Sequence, residues 1–323
     1  MNKVHVLLLH IPDKAEIWGN EVIEELSKHH ELRYFNYDEP IKPQFERIDV
    51  VVQMNYSTRE MMDAASEAGV KFWQLQSVGF EHFDLDYMKS KGIPVSNCPG
   101  MFSSVALAQT AMMFILLLAH KFNEAQEHIR GSMVGMIKGY DLVGRTLALV
   151  GFGASAQELA RRAKSFGMMI KAIDVRPIEQ EVLDEIQPDF LGTPDDLDQL
   201  CADCDYLSLH LHLNKETEKI INAHRISLMK PDAYLINIAR GGLVDQDALF
   251  EALLANKIGG AGLDVFAKEP VDPTEPVLAL PNVFALPHTA GGTDGTARNR
   301  AVCAVTNCDR VAEGLDPLYR IDL

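Results

Sequence analysis

The sequence predicts an α/β protein of two parallel-sheet domains, with the second inserted into the first. Three observations carry this. Strand-like and helix-like segments alternate along most of the chain, the pattern of parallel sheets covered on both faces. A glycine-rich turn between an apolar strand and a helix begins only after about 145 residues, so a domain has been built before it. A last helical pattern lies beyond the last strand, where it can return to the first domain. The 323 residues suit two cores rather than one.

In the first third, strands are expected at Val4–Leu9, Leu32–Phe35, Asp49–Met54, Phe72–Leu75 and Ile93–Val95, with helices near Ile17–Lys28, Thr58–Ala68 and Leu85–Ser90. The opening apolar run is short and is followed by His10, Pro12, Asp13 and Lys14, so it reads as a first strand and not as a leader. Asn97-Cys98-Pro99-Gly100 is a breaker and reads as a hinge. Domain boundaries are therefore expected at 1–98 with 292–323 and at 99–291. After the hinge a helix is expected from Ser103 to Phe122. Apolar residues from Val105 to Leu118 almost encircle it, which requires burial, either in a domain core or at a subunit interface. Its most apolar stretch, Ala111–Ala119, falls short of the ~20 residues that span a bilayer.

The second α/β stretch opens at Thr146 and reads TLALVGFGASAQELARRAKSFGMMIKAID. Leu147–Val150 is a strand, and Met169–Ile173 is the next one. Gly151 permits the tight turn, and Gly153 lets backbone approach a pyrophosphate. Ala156 stands where a third glycine is usual and still allows close helix–strand packing. The helix start, with Ala154 and Ser155, offers N–H groups and a positive dipole end to phosphates. Asp174 follows about 20 residues on, where an acid bonds ribose hydroxyls. Strand, loop, helix, strand and acid together mark a dinucleotide site. Asp174 favours NAD, because its charge repels a 2′-phosphate; Arg176, two residues on, works in the opposite direction. Further strands are expected at Asp205–Leu209, Ala233–Ile238, Gly260–Leu263 and Val283–Leu286, and a last helix at Thr296–Glu313.

Three of these strand ends carry reactive groups. Arg240-Gly241-Gly242 follows LINIA, Lys268-Glu269-Pro270 follows GAGLDVF, and His288-Thr289-Ala290 follows VFALP. Ligands of open parallel sheets bind at the carboxyl ends of strands. An arginine there grips a carboxylate and polarises a carbonyl. A histidine donates a proton, and a carboxylate holds the imidazole. This kit suits reduction of a 2-keto acid.

The net charge of −16 argues against nucleic acid as a partner. Cys98, Cys201, Cys204, Cys303 and Cys308 form no disulfide framework and suggest reduced thiols in a cytoplasmic protein. Cys201-Ala-Asp-Cys204 has redox or metal spacing. It lacks a second pair, and it ends a helix just before a strand, so packing is the expected role. His210 and His212 also have the spacing of a metal pair, but no metal is expected.

The chain resembles the D-isomer-specific 2-hydroxyacid dehydrogenases, which include phosphoglycerate, D-lactate and glyoxylate/hydroxypyruvate members. VGFEHFDLDYMKSKGIPVSN is similar to the family's substrate loop, and VALAQTAMMFILLLAHK to its interdomain and dimer helix. INIARGGLVDQDAL, GAGLDVFAKEP and LPHTAGGT are similar to its active-site blocks. The resemblance covers essentially the whole chain. It implies two Rossmann-like domains, the nucleotide-binding one inserted into a discontinuous flavodoxin-like substrate domain, with NAD as cofactor and a homodimer as the assembly. It also implies hydride transfer between nicotinamide and C2 of a small 2-keto or 2-hydroxy acid.

By the same resemblance, Arg240 binds substrate, His288 is the acid/base and Glu269 its partner. Val78 and Gly79 offer backbone N–H groups to the carboxylate, and Asn55 lies among the first-domain loops that meet the substrate. Asp264 stands beside the nicotinamide carboxamide, Asp174 at the adenosine ribose, and His210 in the loop bordering the adenine. This chain departs from the family at Leu107–Thr110, at Ser155-Ala156 and at His212, where a proline is common. Arg59 either holds a second anion or faces solvent, and Trp73 and Phe80 either line an apolar wall or fill the core. Two rivals share the architecture: a nucleotide-sensing, corepressor-like binding protein and a formate dehydrogenase-like enzyme. The latter carries glutamine where this chain has Glu269.

Overall fold

A computed structural model of the chain describes residues 2–10, 19–135 and 137–323. The chain divides into two compact units, the residues up to Ser103 with Gly292–Leu323, and Ser104–Gly291. The turn from Pro99 to Ser103 groups with the first unit for a local reason. Phe102 meets Tyr319 edge-on, with ring centroids 5.7 Å apart, and its carbonyl accepts from Asn299 Nδ2 at 3.1 Å.

The first unit begins β1 (His5–Leu9), α1 (Gly19–His29), β2 (Glu31–Tyr34), α2 (Ile41–Gln44) and β3 (Val50–Gln53). It continues with α3 (Arg59–Ala68), β4 (Phe72–Leu75), α4 (Leu85–Ser90) and β5 (Val95–Ser96). The strands pair in parallel in the order β2-β1-β3-β4-β5, the flavodoxin-like order. β3 reads Val-Val-Val-Gln and is buried throughout, as a strand covered on both faces must be. Thr58 caps α3 by accepting from Met61 N–H, and Gly69 ends it in the left-handed conformation at φ 77°. The helix expected near Ile17–Lys28 is described from Gly19; Ile17 and Trp18 lie outside the described residues. The strand expected at Ile93–Val95 is reduced to Val95–Ser96, because Pro94 has no N–H to give the ladder.

The second unit opens with α5 (Ser104–Ala119) and α6 (Phe122–Arg130), which correct the single helix expected from Ser103 to Phe122. They bend by 54° at a break where Lys121 takes φ 49°. The returning chain ends α5. Tyr140 N–H donates to the Ala119 carbonyl at 2.8 Å, and a Cβ on Gly139 would lie 2.6 Å from that same oxygen. No single helix among the described residues is long and apolar enough to cross a bilayer.

There follow β6 (Thr146–Val150), α7 (Ala154–Ser165), β7 (Met169–Ile173), α8 (Gln180–Ile186), β8 (Phe190–Gly192), α9 (Leu197–Asp203) and β9 (Tyr206–Leu209). The unit closes with α10 (Ala223–Leu228), β10 (Tyr234–Asn237), α11 (Gln246–Leu254), β11 (Gly260–Leu263) and β12 (Val283–Ala285). The order β12-β11-β10-β9-β6-β7-β8 is Rossmann-like, with strand order reversing between β6 and β9. All its neighbours pair in parallel. α5 packs on this sheet. Gly262 of β11 makes room for Phe114, which would stand 2.5 Å from a Cβ there.

One side of α5 is therefore core, as at Phe114 and Ile115, but Val105 and Met113 are exposed. Burial all round was expected and is not found within one chain. Gln109, Met112, Met113, Leu116 and Leu117 instead line an open groove of about 370 Å³ against Arg162 and Phe166 of the α7 region.

The last helix, α12 (Asp294–Ala312), belongs to the first unit. Its Ala301, Ala304 and Cys308 pack with Val6, Leu8, Val22 and Leu26. The segment after it is tied to β5, with Ile321 N–H donating to the Val95 carbonyl at 2.9 Å.

Candidate active site

The loops after β6 and β9 leave the second sheet where its strand order reverses. Gly151 takes φ 90°, and a Cβ on it would lie 2.8 Å from the His210 carbonyl oxygen. Only glycine satisfies both the turn and this approach. At Gly153 nothing lies within 4 Å of the corresponding position, so the space beside the start of α7 is open. No side chain caps α7, and among the described residues no protein acceptor takes the N–H of Gly153, Ala154 or Ser155. Ala156 is fully buried and lets the helix lie close to the sheet. An uncapped helix start on an open space is the arrangement a diphosphate requires.

Asp174 follows β7 directly, with its side chain 9% exposed. Its Oδ2 accepts from Phe152 N–H at 2.8 Å and its Oδ1 from Arg176 N–H at 2.9 Å, with Arg176 Nε 3.4 Å from Oδ1. The acid is thereby fixed against the glycine loop. His210 Nδ1 lies 2.9 Å from Ser155 Oγ, and its Nε2 lies 3.0 Å from Ser208 Oγ. Burial pushes this imidazole down to about 3. The neutral ring thus braces the glycine loop from behind, and Ser155 spends part of its hydroxyl on that brace. These residues fit a dinucleotide, with phosphates on the α7 N–H groups and a ribose at Asp174.

The loops after β10, β11 and β12 leave the same sheet at its carboxyl edge, and backbone contacts tie them together. A Cβ on Gly241 would stand 1.9 Å from both the carbonyl carbon and the oxygen of Phe266, so the Arg240 turn lies directly on the Glu269 loop. Asn237 shapes that turn: its Nδ2 donates to the Arg240 carbonyl at 2.9 Å and its Oδ1 accepts from Ala239 N–H at 3.1 Å. Arg240 Nη1 donates to the Ala239 carbonyl at 2.8 Å.

Asp264, 1% exposed, holds the next loop. Its oxygens accept from Thr289 N–H at 2.7 Å and Ala290 N–H at 3.0 Å, while its carbonyl accepts from His288 N–H at 2.8 Å. Burial raises its carboxyl above the usual range, and the two backbone donors oppose that shift. His288 is held at φ 57°, an uncommon conformation for a residue of its size. Its Nδ1 lies 2.7 Å from Glu269 Oε2, and Glu269 Oε1 accepts from Phe266 N–H at 3.1 Å. Among the described residues nothing bonds Nε2 of His288. Ala267 N–H donates to Gln246 Oε1 at 2.8 Å, which fixes the Glu269 loop to α11.

The sequence pattern does not single out Asn237 and Gln246, although a polar residue ending the apolar strand YLIN signals a turn that needs shaping.

In the first unit, Val78 and Gly79 follow β4. Their carbonyls are taken by Asn97 Nδ2 at 2.7 Å and by Ser77 Oγ at 2.8 Å, whereas no protein acceptor among the described residues takes their N–H groups. Asn55 follows β3, with its carbonyl accepting from Gln53 Nε2 at 2.9 Å. Trp73 is fully buried in the core and donates to Gln53 Oε1 at 2.8 Å; Phe80 packs on the same cluster. Arg59 pairs with Asp84 at 2.6 Å and lies 4.6 Å over the Tyr87 ring, tying α3 to α4.

Cys201 and Cys204 are buried, with Cys204 Sγ donating to the Cys201 carbonyl at 3.2 Å. Burial raises the Cys201 thiol to about 12, which suits packing and not redox work.

Comparison with known proteins bears on this arrangement. The family model for the D-isomer specific 2-hydroxyacid dehydrogenase, NAD binding domain, matches residues 112–290. A glyoxylate reductase of Thermococcus onnurineus is 34% identical over 91% of this chain and 85% of its own length. A hydroxypyruvate reductase of Thermotoga maritima is 34% identical over 86% of this chain and 87% of its own. The crystal structure of D-lactate dehydrogenase with NAD+ from Lactobacillus jensenii, 26% identical, superposes with a TM-score of 0.83 over 98% of this chain and 99% of that one. The chain belongs to the D-isomer specific 2-hydroxyacid dehydrogenase family and is an NAD-dependent oxidoreductase.

Proposed function

We propose that this enzyme reduces a small 2-keto acid, of the glyoxylate or hydroxypyruvate type, to the 2-hydroxy acid, with the D configuration wherever C2 becomes a stereocentre. The observation that carries the reading is the His288–Glu269 contact of 2.7 Å, set on the same sheet edge as Arg240 and the glycine loop. The nicotinamide, when bound, supplies the hydride to C2. His288 Nε2 donates the proton to the carbonyl oxygen, and Glu269 holds the ring so that Nε2 is presented. Arg240 grips the substrate carboxylate and draws electron density from the carbonyl. The N–H groups of Val78 and Gly79 serve the carboxylate as further donors. Gly151, Gly153, Ala154, Ser155 and Ala156 take the diphosphate, and Asp174 takes the ribose. Asp264 acts by fixing the loop that carries His288, and His210 by bracing the glycine loop. Oxidation of the hydroxy acid runs the same steps in reverse. Glu269, an acid and not a glutamine, does not favour the formate dehydrogenase reading.

The test is turnover of a panel of 2-keto acids with NADH and NADPH, followed by loss of nicotinamide absorbance. Reduction with NADH is expected, with a D-configured product from every keto acid whose product is chiral; an absence of turnover with every keto acid would contradict the proposal. We also infer a homodimer, because the exposed Val105 and Met113 beside the apolar groove of α5 call for a covering surface. A cytoplasmic location fits five buried cysteines, none of them in a disulfide.

A further inference from the structure

We propose that the first unit recognises an uncharged polar substituent at C3 of the substrate through the side-chain amides of Asn55 and Gln76, an inference that rests on the keto-acid reading above. β3 and β4 pair in parallel with Gln53 opposite Leu75, so the segments carrying Asn55 and Gln76 leave the sheet side by side at its carboxyl edge. Gln76 is 4% exposed. Its Nε2 and the Nδ2 of Asn55 are buried and have no hydrogen-bond partner among the described residues. The rest of both residues is held. Cys98 Sγ donates to Gln76 Oε1 at 3.7 Å, which orients the amide and leaves its buried NH₂ to find an acceptor. Gln76 N–H donates to the Gln53 carbonyl at 3.0 Å, and Gln53 Nε2 to the Asn55 carbonyl at 2.9 Å.

Buried donors without acceptors are rare and call for an explanation; a ligand that supplies the acceptor is one. The same edge carries the open N–H groups of Val78 and Gly79. These suit a carboxylate, which leaves the two amides for an acceptor on the neighbouring carbon. A neutral amide donor matches a hydroxyl or carbonyl oxygen, whereas a methyl group would leave it unsatisfied. A phosphate or second carboxylate would call for a guanidinium. Arg59 is committed to Asp84 and Tyr87.

The experiment compares kcat/KM for pyruvate, hydroxypyruvate and oxaloacetate with NADH, using the full-length enzyme and its Asn55→Leu and Gln76→Leu variants. NADH titration checks that each variant is folded. The wild type should prefer hydroxypyruvate to pyruvate by about 10- to 100-fold, the range that one or two buried hydrogen bonds confer. In the variants this ratio should fall towards one. A wild type that takes pyruvate as well as hydroxypyruvate, or prefers oxaloacetate to both, overturns the inference without needing any variant. So does a ratio unchanged in both variants. Binding of NADH with no reduction of any keto acid overturns instead the reading on which the inference rests.

Discussion

His288 Nδ1 lies 2.7 Å from Glu269 Oε2, and the two residues come from loops after neighbouring strands, β12 and β11. Glu269 is held in turn by Phe266 N–H. The carboxylate therefore determines which way the imidazole points. Replacing Glu269 with Ala should lower the reductive kcat by about 10²-fold or more, within the range that general acid catalysis contributes. KM for NADH should change little, because the glycine loop is untouched. Steady-state kinetics on the variant checks this; an unchanged kcat would remove Glu269 from the mechanism.

Asp174 is fixed at the end of β7 by Phe152 N–H and by Arg176. Asp174→Ala should weaken NADH binding more than NADPH binding. The variant loses ribose hydrogen bonds and also the charge that repels a 2′-phosphate. Titration of both nucleotides decides the matter, and an unaltered preference would count against the assignment.

The buried ring of His210 makes stability depend on acid. In the unfolded chain it takes up a proton below its ordinary value of 6.5, whereas in the fold it stays neutral down to about 3. Between those values the unfolded state holds more protons. Its contribution is therefore complete above pH 6.5 and declines as pH falls towards 3. The thermal-midpoint deficit of a His210→Asn variant, relative to the wild type, should be largest above pH 6.5 and shrink on acidification. About 2–4 °C per kcal/mol is expected at this size class. A deficit independent of pH would show that the ring is not held neutral.

The open side of α5 predicts self-association. Met113→Asp should convert a dimer at micromolar concentration into a monomer, since a charge on the apolar stripe cannot be buried against a second copy. Sedimentation at twice the chain mass for the wild type, and at the chain mass for the variant, is the expected pair of results. A wild type that sediments as a monomer would contradict it.

Much of this fold could be read in the sequence because its signals are local. Buried parallel strands such as VVVQ and FWQL announce themselves by continuous apolarity, and the glycine loop by its place between strand and helix. The break after Ala119 was not legible. It depends on Tyr140 and Gly139 arriving from a distant part of the chain to close the helix end. β8 was missed because an edge strand with exposed Phe190 and Leu191 lacks the apolar run of its neighbours. Arg240, Glu269 and His288 were visible as residues at strand ends. What sequence could not supply was how the loops lock together. Gly241 reads as a turn glycine, yet its lack of a Cβ is what lets the Arg240 turn rest on the Phe266 backbone. Likewise, Asp264 reads as a cofactor acid, and only its bonds to Thr289 and Ala290 reveal that it sets the position of His288.

The most direct test is the reductive turnover of His288→Ala, measured together with its affinity for NADH. Glu269 holds Nδ1 of His288, and Nε2 is the nitrogen we propose as the proton donor. Loss of that proton donor should lower kcat for keto-acid reduction by about 10²- to 10⁴-fold. NADH should bind nearly as tightly as in the wild type, because the Gly151–Ala156 loop and Asp174 are unchanged. Wild-type turnover by the variant would contradict the assignment of His288 as the acid, whatever keto acid the enzyme prefers.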